Sequence, residues 1–309
     1  MPWDPIKLND GSAIPSIGFG TWRLGNGDKP TDEVEQALSL GFSHIDTAQA
    51  YQNETEAGKA IRESGLARED VYITTKYSGL NKKDIEDSIK DSLKNLGVGY
   101  VDLYLIHHPR LAVPDIRTAW EQFEGLQGAG LSKSIGVSNF GVEELKALLA
   151  TAKVKPAVNQ IMLHPYVYAK QKPILEYAKK HGIVIEAYST LIPLTVLPGG
   201  PVDKPLKKIA EAKGVATEQV LLAWAKAKGA VVLTMSSKKD RLERYLEAGD
   251  VELSEEDIEA IDEAGARGAL HFRFKVFGKR LALAAALGAL ALGFSFISGV
   301  DLVSTFNLV

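Results

Sequence analysis

The sequence predicts a (β/α)8 barrel that follows a small N-terminal β-hairpin and precedes a hydrophobic C-terminal helix. Eight short apolar runs recur between residues 17 and 235, and most begin 23 to 33 residues apart. Amphipathic helical patterns separate these runs. Near-continuous apolar strands that alternate with helices are typical of a parallel sheet buried on both faces, and eight such units are typical of a closed barrel.

The predicted elements cover most of the chain in order. The hairpin spans residues 6–14, with its turn at residues 9–11. The eight predicted strands are Ile17–Thr21, Ser43–Thr47, Val71–Lys76, Val101–His107, Ser134–Ser138, Ala157–Ile161, Val184–Ser189 and Ala230–Met235. The predicted helices are Asp32–Leu40, Thr55–Glu63, Lys82–Leu96, Ile116–Ala129, Val142–Ala150, Gln171–His181, Lys204–Lys213, Thr217–Lys228 and Ser254–Ala264. We place the end of this barrel domain, residues 1–268, after the last of these helices.

A doubly wound open sheet is the competing fold. That fold usually has fewer strands and a glycine-rich phosphate-binding turn after an early strand. The nearest candidate for such a turn, residues 18–20, lacks a third glycine and a following helix. The barrel is therefore the favoured prediction.

The composition excludes several classes of function. The net charge of −3 argues against general binding of nucleic acid. The absence of cysteine excludes disulfides, thiolate catalysis and cysteine-ligated metal centres. The first ten residues have no apolar core behind a positive start, so we expect no secretory signal.

The C-terminal segment differs sharply in composition from the barrel. A basic linker, residues 269–280, carries four Lys or Arg side chains; residues 281–300 carry no charge, and a short tail follows at 301–309. Twenty apolar residues form a helix of about 30 Å, the thickness of a bilayer core. Basic residues on the N-terminal side predict a tail anchor with the barrel on the cytoplasmic face of a membrane. A hydrophobic helix packed on the barrel is the alternative.

Titratable side chains are concentrated where the predicted strands end. Asp46 and Tyr51 lie in the segment HIDTAQAY at 44–51, Lys76 ends VYITTK, and His107 ends VDLYLIH. A buried lysine needs a charged partner, and Asp46 ends the neighbouring strand. A nearby ammonium lowers the pKa of a phenol, which would let Tyr51 donate a proton near neutral pH.

Two other interpretations of these residues remain open. Asp46 and Lys76 could form a salt bridge at the barrel end without a catalytic task. Alternatively, His44, Asp46 and His107 could hold a divalent ion in a metal-dependent hydrolase. We favour no metal, because the barrel interior is a packed core, His44 lies deeper than Asp46, and Lys76 would have to coexist with the ion.

Seven motifs, in order along the chain, resemble the aldo-keto reductase family. They are GFGTW at 18–22, GFSHIDTAQAYQNE at 41–54, the strand-end Lys76, VDLYLIHHP at 101–109, IGVSNF at 135–140, VNQIMLHPY at 158–166 and AYS at 187–189. The resemblance covers about residues 6–265, and the short barrel loops resemble microbial and fungal members. It implies reduction of an aldehyde or ketone by NADPH, with NADH as the alternative, in a monomeric barrel.

The resemblance also implies a role for individual residues. Tyr51 would be the general acid, Lys76 and Asp46 would support it, and His107 would orient the carbonyl. Substrate contacts would come from Trp22, Tyr51, His107 and His108. Cofactor contacts would come from Thr21, Trp22, Asp46, Ser138, Asn139, Gln160, Tyr188, Ser189, Leu191, Ser236, Lys238 and Arg241, with the nicotinamide ring stacked on Tyr188.

Three positions depart from the family pattern. His108 stands where a tryptophan often follows the catalytic histidine, which implies a more polar substrate pocket. Thr190 interrupts the segment that commonly follows the stacking tyrosine, and Met235 occupies a position that often holds lysine. Ser236 and Arg241 remain from the family pattern, and Lys238 can compensate for that lysine. An arginine and a lysine near the ribose favour a 2′-phosphate. A nucleotide-binding relative without catalysis, held at a membrane, is the alternative function.

Overall fold

A closed barrel of eight parallel strands forms the centre of the protein. A computed structural model describes residues 3–268. The barrel strands are β3 (Ile17–Gly20), β4 (His44–Asp46), β5 (Tyr72–Tyr77), β6 (Val101–Ile106), β7 (Ser132–Ser138), β8 (Val158–Met162), β9 (Val184–Tyr188) and β10 (Val231–Thr234). They follow one another around the barrel in chain order, and β10 pairs with β3 to close it. The predicted barrel is confirmed.

The helices cover the outside of this barrel. They are α1 (Asp28–Leu40), α2 (Glu54–Glu63), α3 (Ile85–Leu96), α4 (Ile116–Gly128), α5 (Val142–Leu149), α6 (Pro165–His181), α7 (Ile192–Thr195), α8 (Asp203–Lys213), α9 (Thr217–Ala227) and α10 (Lys239–Glu247). A further helix spans residues 255–268. Buried apolar side chains between the strands and these helices form the main core, including Phe19, Ile73, Trp120 and Trp224.

The N-terminal hairpin is also confirmed. Its strands, β1 (Ile6–Lys7) and β2 (Ala13–Ile14), pair antiparallel. Ile14 belongs to a second buried cluster with barrel residues such as Leu103 and Val231. The hairpin therefore packs against the barrel interior at the end opposite to the carboxyl ends of the strands.

Three helical segments differ most from the predictions. Helix α6 begins at Pro165, where the prediction began at residue 171. Proline suits the first turn of a helix, because its missing N–H would have no partner there. The short helix α7 and the helix α10 were not predicted. Helix α10 is rich in charge and buries only Leu242 and Tyr245, so its apolar pattern is weak.

Among residues 3–268, no helix is long and apolar enough to cross a membrane. The predicted linker at 269–280, the hydrophobic segment at 281–300 and the tail at 301–309 lie outside the described residues.

Candidate active site

Four of the predicted site residues meet at the carboxyl ends of three adjacent strands. Asp46 is the last residue of β4, and Tyr51 follows in a short 3-10 turn. Lys76 lies near the end of β5, and His107 comes directly after β6. Parallel pairing of β4 with β5 and of β5 with β6 brings these ends to the same side of the barrel.

Lys76 is the centre of this group. Its fully buried Nζ donates to Oδ1 of Asp46 at 2.6 Å and to the carbonyl oxygen of Thr47 at 2.8 Å. The same Nζ lies 3.5 Å from the hydroxyl of Tyr51. Burial lowers the pKa of Lys76, but Asp46 and Tyr51 more than offset this, and the pKa lies above its ordinary value. Lys76 is therefore an ammonium at neutral pH, paired as predicted.

The predicted direction of the Tyr51 pKa is wrong. Burial of the phenol raises its pKa above the ordinary value, and the Lys76 ammonium lowers it by less than this. The prediction considered the nearby charge but not desolvation, which disfavours the phenolate. Tyr51 is therefore held as a neutral phenol at neutral pH.

His107 faces Tyr51 across the barrel mouth. The two rings are edge-on, with their centroids 5.7 Å apart. Burial and the charge of Lys76 lower the pKa of His107 to about 3, so its imidazole is neutral. Its Nδ1 lies 3.1 Å from the hydroxyl of Ser78, a residue that the sequence did not single out.

A second polar layer lies beneath these residues. Gln160, on β8, donates through Nε2 to Oδ2 of Asp46 at 2.8 Å and to Oε2 of Glu186 at 2.6 Å. Glu186 is completely buried on β9, and burial together with the charge of Asp46 raises its pKa to about 8. Sequence reasoning missed Glu186, although a lone acid within the apolar strand VIEAY was a usable signal.

The residues predicted to hold the nicotinamide lie together. The side chain of Asn139 donates to Oγ of Ser138 at 3.0 Å, and Tyr188 donates through its hydroxyl to Oδ1 of Asn139 at 2.8 Å. Oγ of Ser138 donates to the backbone carbonyl of Gln160. A half-buried ring and several amide and hydroxyl groups therefore meet near the Lys76 site, and the ring offers a face on which a flat ligand can stack.

Five other residues predicted to contact the cofactor lie at or just before the starts of two helices. Ser189 adopts a positive φ of 62°, and Leu191 is the residue before helix α7. Lys238 is the residue before helix α10, and its backbone N–H donates to Oγ of Ser236 at 3.1 Å. Arg241 lies in the first turn of α10. A helix N-terminus with two cations nearby favours a phosphate group.

The residues predicted near the substrate differ in exposure. Trp22 is 48% exposed, with the guanidinium of Arg23 stacked over its ring at 4.2 Å. His108 is half-buried, and its Nδ1 accepts from the backbone N–H of Arg110 at 3.3 Å. Thr21, predicted to contact the cofactor rather than the substrate, is fully buried, and its hydroxyl lies 2.9 Å from that of Thr47.

His44 occupies the barrel interior, as the sequence predicts. It is fully buried, and burial lowers its pKa to about 3. Its Nε2 lies 2.9 Å from the hydroxyl of Thr74. Within residues 3–268, no group of three or more His, Cys, Asp or Glu side chains is arranged to hold a metal ion.

Residues 16–266 match the profile of the Aldo/keto reductase family. The match covers more than half of the chain and includes every strand of the barrel. The chain belongs to the aldo/keto reductase family.

Several aldo/keto reductases are similar to it over most of their length. The NAD/NADP-dependent indole-3-acetaldehyde reductase of Schizosaccharomyces pombe is 37% identical, over 84% of this chain and 93% of that protein. The glyoxal reductase of Bacillus subtilis is also 37% identical, over 84% of this chain and 92% of that protein. The crystal structure of an aldo/keto reductase from Brucella melitensis superposes with a TM-score of 0.76 at 38% identity and covers 84% of this chain and 99% of that one.

Proposed function

We propose that the protein reduces aldehydes or ketones to alcohols with NADPH, and that Tyr51 is the general acid. The observation that carries this proposal is the position of the Tyr51 hydroxyl, 3.5 Å from the buried ammonium of Lys76 and beside the ring of His107. Two of the relatives described above are named as reductases of aldehydes, which favours an aldehyde as the substrate.

The neutral phenol of Tyr51 holds the proton that a reduced carbonyl oxygen must receive. When Tyr51 releases this proton, Lys76 stabilises the phenolate that remains, and Asp46 holds Lys76 in place through their 2.6 Å contact. His107, being neutral, donates a hydrogen bond to the carbonyl oxygen without adding a net charge. Preorganised donors of this kind stabilise the negative charge that develops on the oxygen.

The residues of the barrel mouth fit a nicotinamide dinucleotide. Bound NADPH supplies the hydride that reduces the carbonyl carbon. Tyr188 offers a ring for stacking, and Ser138, Asn139 and Gln160 offer hydrogen bonds to a carboxamide. At the start of helix α10, Lys238 and Arg241 offer positive charge to a 2′-phosphate.

Tyr51→Phe tests this function most directly. The variant removes the hydroxyl and keeps the ring that faces His107. We expect kcat to fall by about 10²- to 10⁴-fold over a panel of aldehydes and ketones, while NADPH still binds. Turnover is followed by NADPH consumption, and binding by fluorescence titration.

Tyr100→Phe is the matched control for that experiment. The hydroxyl of Tyr100 also lies beside a lysine, at 3.1 Å from Nζ of Lys133, but on the exterior of the barrel. We expect this variant to keep full activity. Unchanged turnover in Tyr51→Phe would contradict the role of Tyr51, and a wild type inactive on every carbonyl would contradict the function itself.

We also propose that residues 281–300 anchor the enzyme in a membrane. The support is the length of this uncharged segment and the four basic side chains that precede it. Deletion of residues 269–309 should move the protein from the membrane fraction to the supernatant with kcat unchanged. Full-length protein found in the supernatant would contradict the anchor.

A further inference from the structure

Ser78 contacts His107 but has no role in the mechanism proposed above. Its Oγ lies 3.1 Å from Nδ1 of His107 and accepts the backbone N–H of Ala50 at 3.2 Å. The only other contact described for this hydroxyl is the carbonyl oxygen of Lys76, at 3.4 Å. The position of the single hydroxyl proton therefore decides which nitrogen of His107 is protonated.

Distance favours one position of this proton. Hydroxyl groups donate to oxygen acceptors over about 2.5–3.0 Å, so 3.4 Å to Lys76 is too long for a normal hydrogen bond. Were Nδ1 of His107 the donor, the hydroxyl of Ser78 would accept twice and its own proton would have no acceptor at normal distance among residues 3–268. Donation from Ser78 to Nδ1 satisfies both groups.

A neutral imidazole carries one proton, so an accepting Nδ1 requires a protonated Nε2. We infer that Ser78 is a positioning residue, which fixes His107 as the Nε2-protonated tautomer so that this nitrogen donates to the substrate carbonyl oxygen. This inference rests on the proposed function, because it assigns His107 the role of a donor to a carbonyl. In this role Ser78 acts through His107, and its own hydroxyl is not a donor to the carbonyl oxygen.

Nitrogen NMR of the imidazole rings tests the tautomer without relying on turnover. The chain has six histidines, and the signals of His107 are assigned by their loss in His107→Gln. At pH 7 we expect the full-length wild type to show a protonated Nε2 and an unprotonated Nδ1. A protonated Nδ1 in the wild type would overturn the inference, even if the enzyme reduces carbonyls.

Variants of Ser78 test the consequence for catalysis. Partners that orient a functional imidazole at metal sites are worth about 10- to 100-fold. We therefore expect Ser78→Ala to mix the two tautomers and to lower kcat/KM about tenfold, with NADPH affinity unchanged. Ser78→Thr keeps the hydroxyl and should restore both the tautomer and the activity.

Ser64→Ala is the matched control. The hydroxyl of Ser64 also accepts a backbone N–H, that of Leu66, at 3.2 Å, but it lies at the end of helix α2. This variant should keep the wild-type tautomer and kcat/KM. If Ser78→Ala retains the Nε2-protonated ring and full kcat/KM, Ser78 does not position His107. If neither the wild type nor any variant consumes NADPH, the proposed function is wrong. The NMR measurement still shows which nitrogen of His107 is protonated.

Discussion

Replacing Lys76 by methionine removes the ammonium on which the site depends and keeps a side chain of similar length. Lys76 has no exposed surface, and its Nζ donates to Asp46 and to the carbonyl of Thr47. In Lys76→Met, Asp46 would keep only Gln160 as a side-chain donor. Asp46 would then be a buried acid without a neighbouring cation.

The expected cost follows from this loss. Removing one partner of a buried ion pair destabilises a protein by about 3–5 kcal/mol, because the other charge is left uncompensated. Asp46→Asn should cost a similar amount, since it leaves the Lys76 ammonium unpaired. The double variant replaces both charges by neutral groups. Its loss in free energy of unfolding should therefore be smaller than the summed losses of the two single variants, by about 2 kcal/mol or more.

Urea unfolding of the four proteins gives these free energies, and NADPH consumption gives the activity. Turnover by Lys76→Met should fall by about 10²- to 10⁴-fold, because the phenolate of Tyr51 loses its stabilising charge. Glu86→Gln is a control for the unfolding assay, since its ion pair with Lys90 spans 2.7 Å between two exposed side chains of helix α3. The proposed role of the Lys76–Asp46 ion pair in stability would be refuted if each single variant lowered the free energy of unfolding by less than about 1 kcal/mol, or if the two losses simply added in the double variant.

Three further predictions concern stability and cofactor choice. The pKa of Glu186 is raised from 4.5 to about 8, so its contribution to stability is complete below about pH 4.5 and is lost as the pH rises to about 8. Urea unfolding at pH 5, 7 and 9 should therefore show that the free energy of unfolding falls less with rising pH in Glu186→Gln than in the wild type. Arg241→Ala should weaken NADPH binding about tenfold and leave NADH binding unchanged in fluorescence titrations. An equal loss of affinity for NADPH and NADH would exclude a contact between Arg241 and the 2′-phosphate. Gly58→Ala should lower the free energy of unfolding by about 1–3 kcal/mol, because its new methyl group would collide with the backbone of Leu96. Gly125→Ala, on another helix with open space around it, should instead raise that free energy by about 0.5–1 kcal/mol.

The barrel could be predicted because its strands carry a strong and repeated apolar signal. The eight predicted strands agree with the structure to within two residues at either end. The same regularity placed Asp46, Lys76 and His107 at strand ends, where parallel pairing must bring them together. Helix α10 escaped prediction because most of its side chains face solvent and only two are buried.

The electrostatic state of the site was much harder to predict. The sequence indicates which charges are neighbours, but not how completely water is excluded from them. Tyr51 shows the difference, since burial reverses the direction of the pKa shift that Lys76 alone would cause. Ser78 and Glu186 were missed for a related reason: their importance depends on contacts with His107 and Gln160 that arise only when distant strands meet.

The raised pKa of Tyr51 suits the direction of the proposed reaction. A general acid must hold its proton until the carbonyl oxygen begins to gain negative charge, and a phenol with a lowered pKa would lose some of that proton near neutral pH. Burial keeps Tyr51 protonated, and Lys76 limits the cost of the phenolate after transfer. Burial and, after it, the same ammonium lower the pKa of His107, so in the proposed mechanism one buried cation supports the acid and helps to keep the neighbouring donor neutral. Lys76 therefore acts on both residues, and its pairing with Asp46 is what allows that charge to remain buried.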